Sequence, residues 1–70
     1  MRPGQPPQVG EMVRIIRKHK RGAELVACTS ETLRSIALED TDESTRMLAA
    51  VLAAMNSGQR KLLAFKARLP

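Results

Sequence analysis

Among the side chains able to do chemistry, cations dominate. Arg14, Arg17, Lys18 and Arg21 fall at i, i+3, i+4 and i+7, a spacing that stacks side chains along one face of a helix. Like charges so placed repel one another by a few tenths of a kcal/mol per pair, and a polyanion relieves that repulsion. They also lie toward the C-terminal end of their segment, where a helix dipole favours positive charge. Lys20 adds to the run, and Arg60, Lys61, Lys66 and Arg68 form a second cluster. Five of the seven acids, Glu31, Glu39, Asp40, Asp42 and Glu43, lie between, so the chain reads basic, acidic, basic. Twelve Lys and Arg leave a net charge of +5, a balance that suits a polyanionic partner such as nucleic acid.

Other chemistries find little support. His19 stands inside the cation run with no carboxylate placed locally to orient it as a base. Cys28 lies in an apolar setting and reads as a small core residue. One His and one Cys cannot supply the roughly four ligands of a zinc site, and a lone Cys excludes an internal disulfide. No Gly-rich loop is present to cradle a phosphate. Phe65 is the sole aromatic and cannot by itself form a stacking platform for single-stranded nucleic acid. The expectation is a protein that is not an enzyme, with no cofactor, metal or small-molecule substrate.

The longest apolar run, MLAAVLAAM, has nine residues, against roughly 18 or more for a membrane span. MRPGQPPQ contains no apolar stretch of the kind a secretory leader carries. A cytoplasmic protein without a membrane partner is therefore expected.

The elements that must position these residues are helical. The apolar residues are Ala, Leu, Val, Ile and Met with almost no aromatics, a composition that favours helices over sheets. At 70 residues one domain is the ceiling, and a core of that size contributes only about 3–5 kcal/mol. The expected architecture is all-α, a small bundle of four to five short helices. A Pro-rich tail is expected over residues 1–8 and a single helical domain over residues 9–70. Within it, Val9, Met12, Val13 and Ile16 predict a first helix over 9–21 that Gly22 ends. Asp40 with Glu43 resembles a capping box opening a helix over 44–56. Residues 47–55 of that helix hold no polar side chain, which predicts burial on every side. NSG at 56–58 stops it, and a last helix, QRKLLAFKARL, packs through Leu62, Leu63, Phe65 and Leu69 with its cations outward.

Residues 23–39 allow either one helix or two. Leu25, Val26, Leu33, Ile36 and Ala37 would share the core face of a single helix. Against this, Cys28, Thr29, Ser30 and Thr32 are weak helix formers, and TSE makes a good N-cap start. A break near 28–30 is expected. Read so, AELVACTSETLRSI resembles the AELAGVSxxTVSRI segment of helix-turn-helix regulators of bacterial and phage repressor type. VGEMVRIIRKHK is similar to the LGxRIRxLRKxK first helix of such proteins, so that the resemblance covers residues 9–38.

The resemblance implies roles. Ala23 would let the paired helices cross closely, Val26 and Cys28 would flank the turn as a buried pair, and Thr29 or Ser30 would cap the second helix. Leu33 and Ile36 would pin that helix to the core. Ser30, Glu31, Thr32, Arg34 and Ser35 would face the major groove, with Arg34 on a guanine edge and Glu31 accepting from cytosine. Arg14, Arg17, Lys18, Lys20 and Arg21 would hold phosphates.

In a chain this short, burying the central helix calls for a second subunit, so a homodimer is expected through Met47, Leu48, Val51, Leu52, Met55, Leu62 and Phe65. The leading expectation is a small DNA-binding transcription regulator acting on double-stranded DNA. The alternative is a small helical homodimer of phage or plasmid type that blocks a host protein, which adaptable Met-bearing surfaces (Met12, Met47, Met55) would suit.

Overall fold

The apolar stripe of the first segment folds as expected, but over a shorter length. In a computed structural model, which describes residues 9–69, α1 spans Val9–Lys18 and buries Met12 and Ile16. The tail expected over residues 1–8 lies outside the described residues. Helix α1 stops three residues early because the backbone turns back on itself. The Gly22 N–H donates to the His19 carbonyl at 3.0 Å, and the Arg21 N–H donates to His19 Nδ1 at 3.0 Å. Arg21 therefore leaves the helical face that Arg14, Arg17 and Lys18 occupy.

Gly22 does not end α1; it opens α2, Gly22–Val26. It is buried, and a Cβ placed on it would run into the backbone carbonyl of Ile16. Only glycine lets the two backbones approach this closely. The close crossing expected at Ala23 is thus found one residue earlier and between α1 and α2, while Ala23 itself is exposed.

The chain breaks after Val26, as the weak helix formers predict. Ala27 lies in the right-handed region at φ −90°, ψ −5°, so the turn makes no demand for glycine. Thr29 caps α3, Ser30–Glu39, its hydroxyl accepting from the Thr32 N–H at 3.2 Å. Val26 and Leu33 are buried, whereas Cys28 and Ile36 are half-buried and pack at the margin of the core. The Cys28 thiol donates to the Glu24 carbonyl at 3.3 Å.

The capping residue of α4, Glu43–Ala53, is Asp42 rather than Asp40. One Asp42 oxygen accepts from both the N–H (2.9 Å) and the hydroxyl (2.6 Å) of the buried Thr45. Asp40 instead closes α3. Its carboxylate accepts from the Asp42 N–H at 2.9 Å and from Arg21 at 2.8 Å, and its carbonyl accepts from Arg46 at 2.8 Å. Helix α5, Ser57–Arg68, starts at Asn56, which forms a reciprocal capping box with Gln59.

The described residues form five α-helices, of which α2 and α3 are joined by a three-residue turn. Helix α3 packs chiefly on α4, and α5 closes the other side against α1 and α2. Leu25, Leu33, Ala49, Leu52 and Leu63 are fully enclosed at the centre. Helix α4 is not buried all round. Thr45, Leu48, Ala49 and Leu52 face the core, while Met47, Ala50, Val51 and Ala54 face outward. No helix among the described residues is long and apolar enough to cross a membrane.

Candidate nucleic-acid interface

The cations form a surface only after several are removed from it by their own partners. Arg17 donates from Nε to the Ala67 carbonyl at 3.2 Å and from Nη2 to the carbonyls of Lys66 and Leu69. It caps the C-terminus of α5, where unpaired carbonyls and the dipole both attract a cation. Arg21 is held by Glu24 at 3.1 Å and Asp40 at 2.8 Å. Those hydrogen bonds raise the Arg21 pKa above its already high ordinary value, that to Glu24 foremost. Arg21 in turn holds the Glu24 carboxyl below its ordinary range. Asp40 is lowered first by the Asp42 N–H and then by Arg21, and Asp42 by the hydroxyl and N–H of Thr45.

Arg60 was expected outward, yet it is 6 % exposed. Its guanidinium donates to the Leu52 carbonyl at 3.1 Å, the Met55 carbonyl at 2.5 Å and Ser30 Oγ at 2.6 Å. The positive group thus neutralises the negative end of α4 and ties it to the first turn of α3. The sequence signal for this was available: Arg60 lies three residues before Leu63, on the apolar side of α5.

Among the described residues, Arg14, Lys18, Lys20, Arg34, Lys61 and Lys66 have no side-chain hydrogen bond or ion pair within the protein, and Arg68 bonds only to the Ala64 carbonyl of its own helix. Four of these cations come together. Lys18, Lys20 and Arg68 edge a cleft of about 610 Å³ floored by Ile16, Val26, Ala27 and Ala64. A second cleft shares Val26, Ala27 and Ala64 with it and continues past Thr29 and Ser30 to Lys61. The two make one trough between the α2–α3 turn and α5. Lys61, Ala64 and Arg68 line its wall at i, i+3 and i+7.

Glu31, Thr32, Arg34 and Ser35 are exposed on α3, while Ser30 is half-buried with its hydroxyl engaged by Arg60. Arg34 is exposed one turn after Ser30, which lines the second cleft, and itself lines neither cleft. Leu38, four residues further along α3, is 83 % exposed. Arg14 lies on the solvent face of α1, apart from the trough. Lys61 and Arg68 went unnoticed as site residues because only their approach to the turn, a tertiary fact, distinguishes them from other surface residues. Of the residues expected at a dimer contact, Leu48 and Leu52 belong to the chain's own core and Met55 is half-buried. Met47, Val51, Leu62 and Phe65 are exposed.

No three His, Cys, Asp or Glu side chains converge among the described residues to hold a metal ion. Comparison with protein-family models gives no match, and comparisons with the curated proteins and with solved structures give none either.

Proposed function

We propose that the chain binds double-stranded DNA through the α2–α3 unit and the trough beside it, acting as a small transcription regulator. The observation that carries this reading is the break at Ala27–Thr29. It starts α3, with Arg34 exposed one turn in, beside a trough edged by four cations that form no ion pair, Lys18, Lys20, Lys61 and Arg68. The resemblance of residues 9–38 to repressor-type regulators supports the same role for α3.

In this reading the trough cations hold phosphates and fix orientation, while α3 reads base edges. Arg34 is matched to the paired acceptors of guanine, and the exposed Leu38 to a thymine methyl. Arg17 and Arg21 act indirectly, the first by closing α5 and the second by tying α2 to the end of α3. Phosphate holding thus moves from the expected stripe on α1 to the cations around the turn, with Arg14 an outlying contributor.

Duplex binding measured against salt tests the assignment. Each phosphate neutralised contributes about 0.9 to the slope of log K against log salt. Replacing Lys18, Lys20, Lys61 and Arg68 with Ala is expected to flatten that slope by about 3–4. Arg34→Ala is expected to leave the slope almost intact while reducing discrimination between sites by about 1–3 kcal/mol. A chain that fails to retard duplex DNA at low salt, or a slope unmoved by the four substitutions, would exclude the reading and favour a host-protein target instead.

A further inference from the structure

The outward face of α4 has no use in the DNA reading. From Met47 to Ala54 it presents Met47, Ala50, Val51 and Ala54 without a single charge, Met47 being 63 % and Val51 39 % exposed. Ile15 of α1 extends it on one side, and Val9 and Leu62 extend it on the other. Two shallow clefts run along it and share Met12 and Val51, so the apolar surface is continuous. Together these residues expose on the order of 500 Å², the size of the largest apolar patch on a typical monomer, which is often functional.

We propose that this face pairs with the same face of a second copy, α4 against α4, antiparallel about a two-fold axis. The residue order argues for an identical partner. In an antiparallel pair centred between Ala50 and Val51, Met47 of each copy meets Ala54 of the other, and Ala50 of each meets Val51 of the other. Each bulky side chain on the outward face of α4, Met47 and Val51, then faces an alanine, and the two helices can approach closely. A parallel pair would instead set Met47 on Met47 and leave the alanines facing a gap. A two-fold contact requires one patch to complement itself, and this order of large and small residues does so.

Size and charge agree. Covering the patch on both copies removes about 1,000 Å² of surface, the lower bound for a specific interface. Each copy carries a charge of +5, yet no Lys or Arg lies among the residues lining these two clefts, whose one carboxylate is Glu43 at the end beside His19. Apart from His19, the patch shares no lining residue with the trough, so pairing leaves the cationic surface open.

Sedimentation equilibrium of the whole chain without nucleic acid, at about 100 μM, tests the pairing within the affinity range open to interfaces of modest area. Twice the monomer mass is expected, falling to the monomer mass in Ala50→Glu and in Val51→Glu. Both positions are exposed, so helical circular dichroism should be retained. The register is checked in a Cys28→Ser background: Met47→Cys mixed with Ala54→Cys should form a disulfide-linked pair on oxidation, whereas neither should link to itself. A wild-type chain that sediments as a monomer, a dimer indifferent to both glutamates, or self-linking of Met47→Cys would each overturn the proposal.

Discussion

Two residues hold this fold at points where no substitute has the right shape or charge. Gly22 lets the start of α2 rest on the Ile16 carbonyl, a contact with backbone that cannot move aside as a flexible side chain would. Gly22→Ala is therefore expected to destabilise the chain by about 1–3 kcal/mol or more, the usual result of forcing atoms into a filled site. Gly10→Ala is the control, since nothing lies within 4 Å of a Cβ there, and that change should be neutral or slightly stabilising. Urea midpoints of the two variants decide the matter. Arg60 is the second such residue. Arg60→Leu keeps the apolar stem but orphans Ser30 Oγ and the Met55 carbonyl and takes one of two donors from the Leu52 carbonyl, which keeps the Met55 N–H. A loss of about 1–3 kcal/mol is expected from those unpaired groups. Ser30→Ala, which leaves both carbonyls paired, should cost less. Gly22 looked like a helix terminator because glycine serves there often. For Arg60 the sequence offered its side of α5, three residues before Leu63, but not its partners, two carbonyls and Ser30 Oγ, which packing brings from elsewhere in the chain.

At the scale of elements, what could be read was whatever depends on neighbours in sequence. The break before α3 follows from Cys28, Thr29 and Ser30, and Thr29 caps as TSE suggests. The capping box of α5 lies in the NSG signal. The cap of α4 was displaced by two residues because Asp40 and Asp42 are equally good caps locally. Arg21, nineteen residues upstream of Asp40, takes Asp40 for the α3 end and leaves Asp42 to cap α4. These connections carry a pH dependence. The carboxyls of Asp40, Asp42 and Glu24 are all held below their ordinary values in the folded chain. The unfolded chain then binds protons more readily, so their stabilisation is complete above the unfolded values of about 4 and disappears as pH falls through the folded ones. Thermal midpoints should be nearly level from about pH 7 to pH 5 and fall below about pH 4. Asp42→Asn, which can cap without titrating, should show a shallower acid limb; an unchanged limb would mean that Asp42 does not contribute to it.

Taken whole, the molecule divides its surface by chemistry. Cations without an acidic partner gather on the flank of α5 that meets the α2–α3 turn, and apolar side chains gather across α1, α4 and the opposite flank of α5. Composition alone announced both ingredients but not their separation, because helical spacing gives only the angle around each axis and packing decides which flank meets which neighbour. The separation has a thermodynamic consequence. A ligand that binds the folded chain and not the unfolded one stabilises it by RT ln(1 + [L]/Kd), about 2.7 kcal/mol at one hundred times Kd. For a domain of 60–100 residues that amounts to a rise in midpoint on the order of 10 °C. Duplex DNA at low salt is therefore expected to raise the thermal midpoint by that order, and the gain should disappear in high salt as counterion release weakens binding. The quadruple trough variant should lose most of the gain, while Ala50→Glu should retain a part, since each copy keeps its own trough. A midpoint that rises equally in the trough variant would show that the stabilising contacts lie elsewhere on the surface, with Arg14 and Lys66 the first candidates.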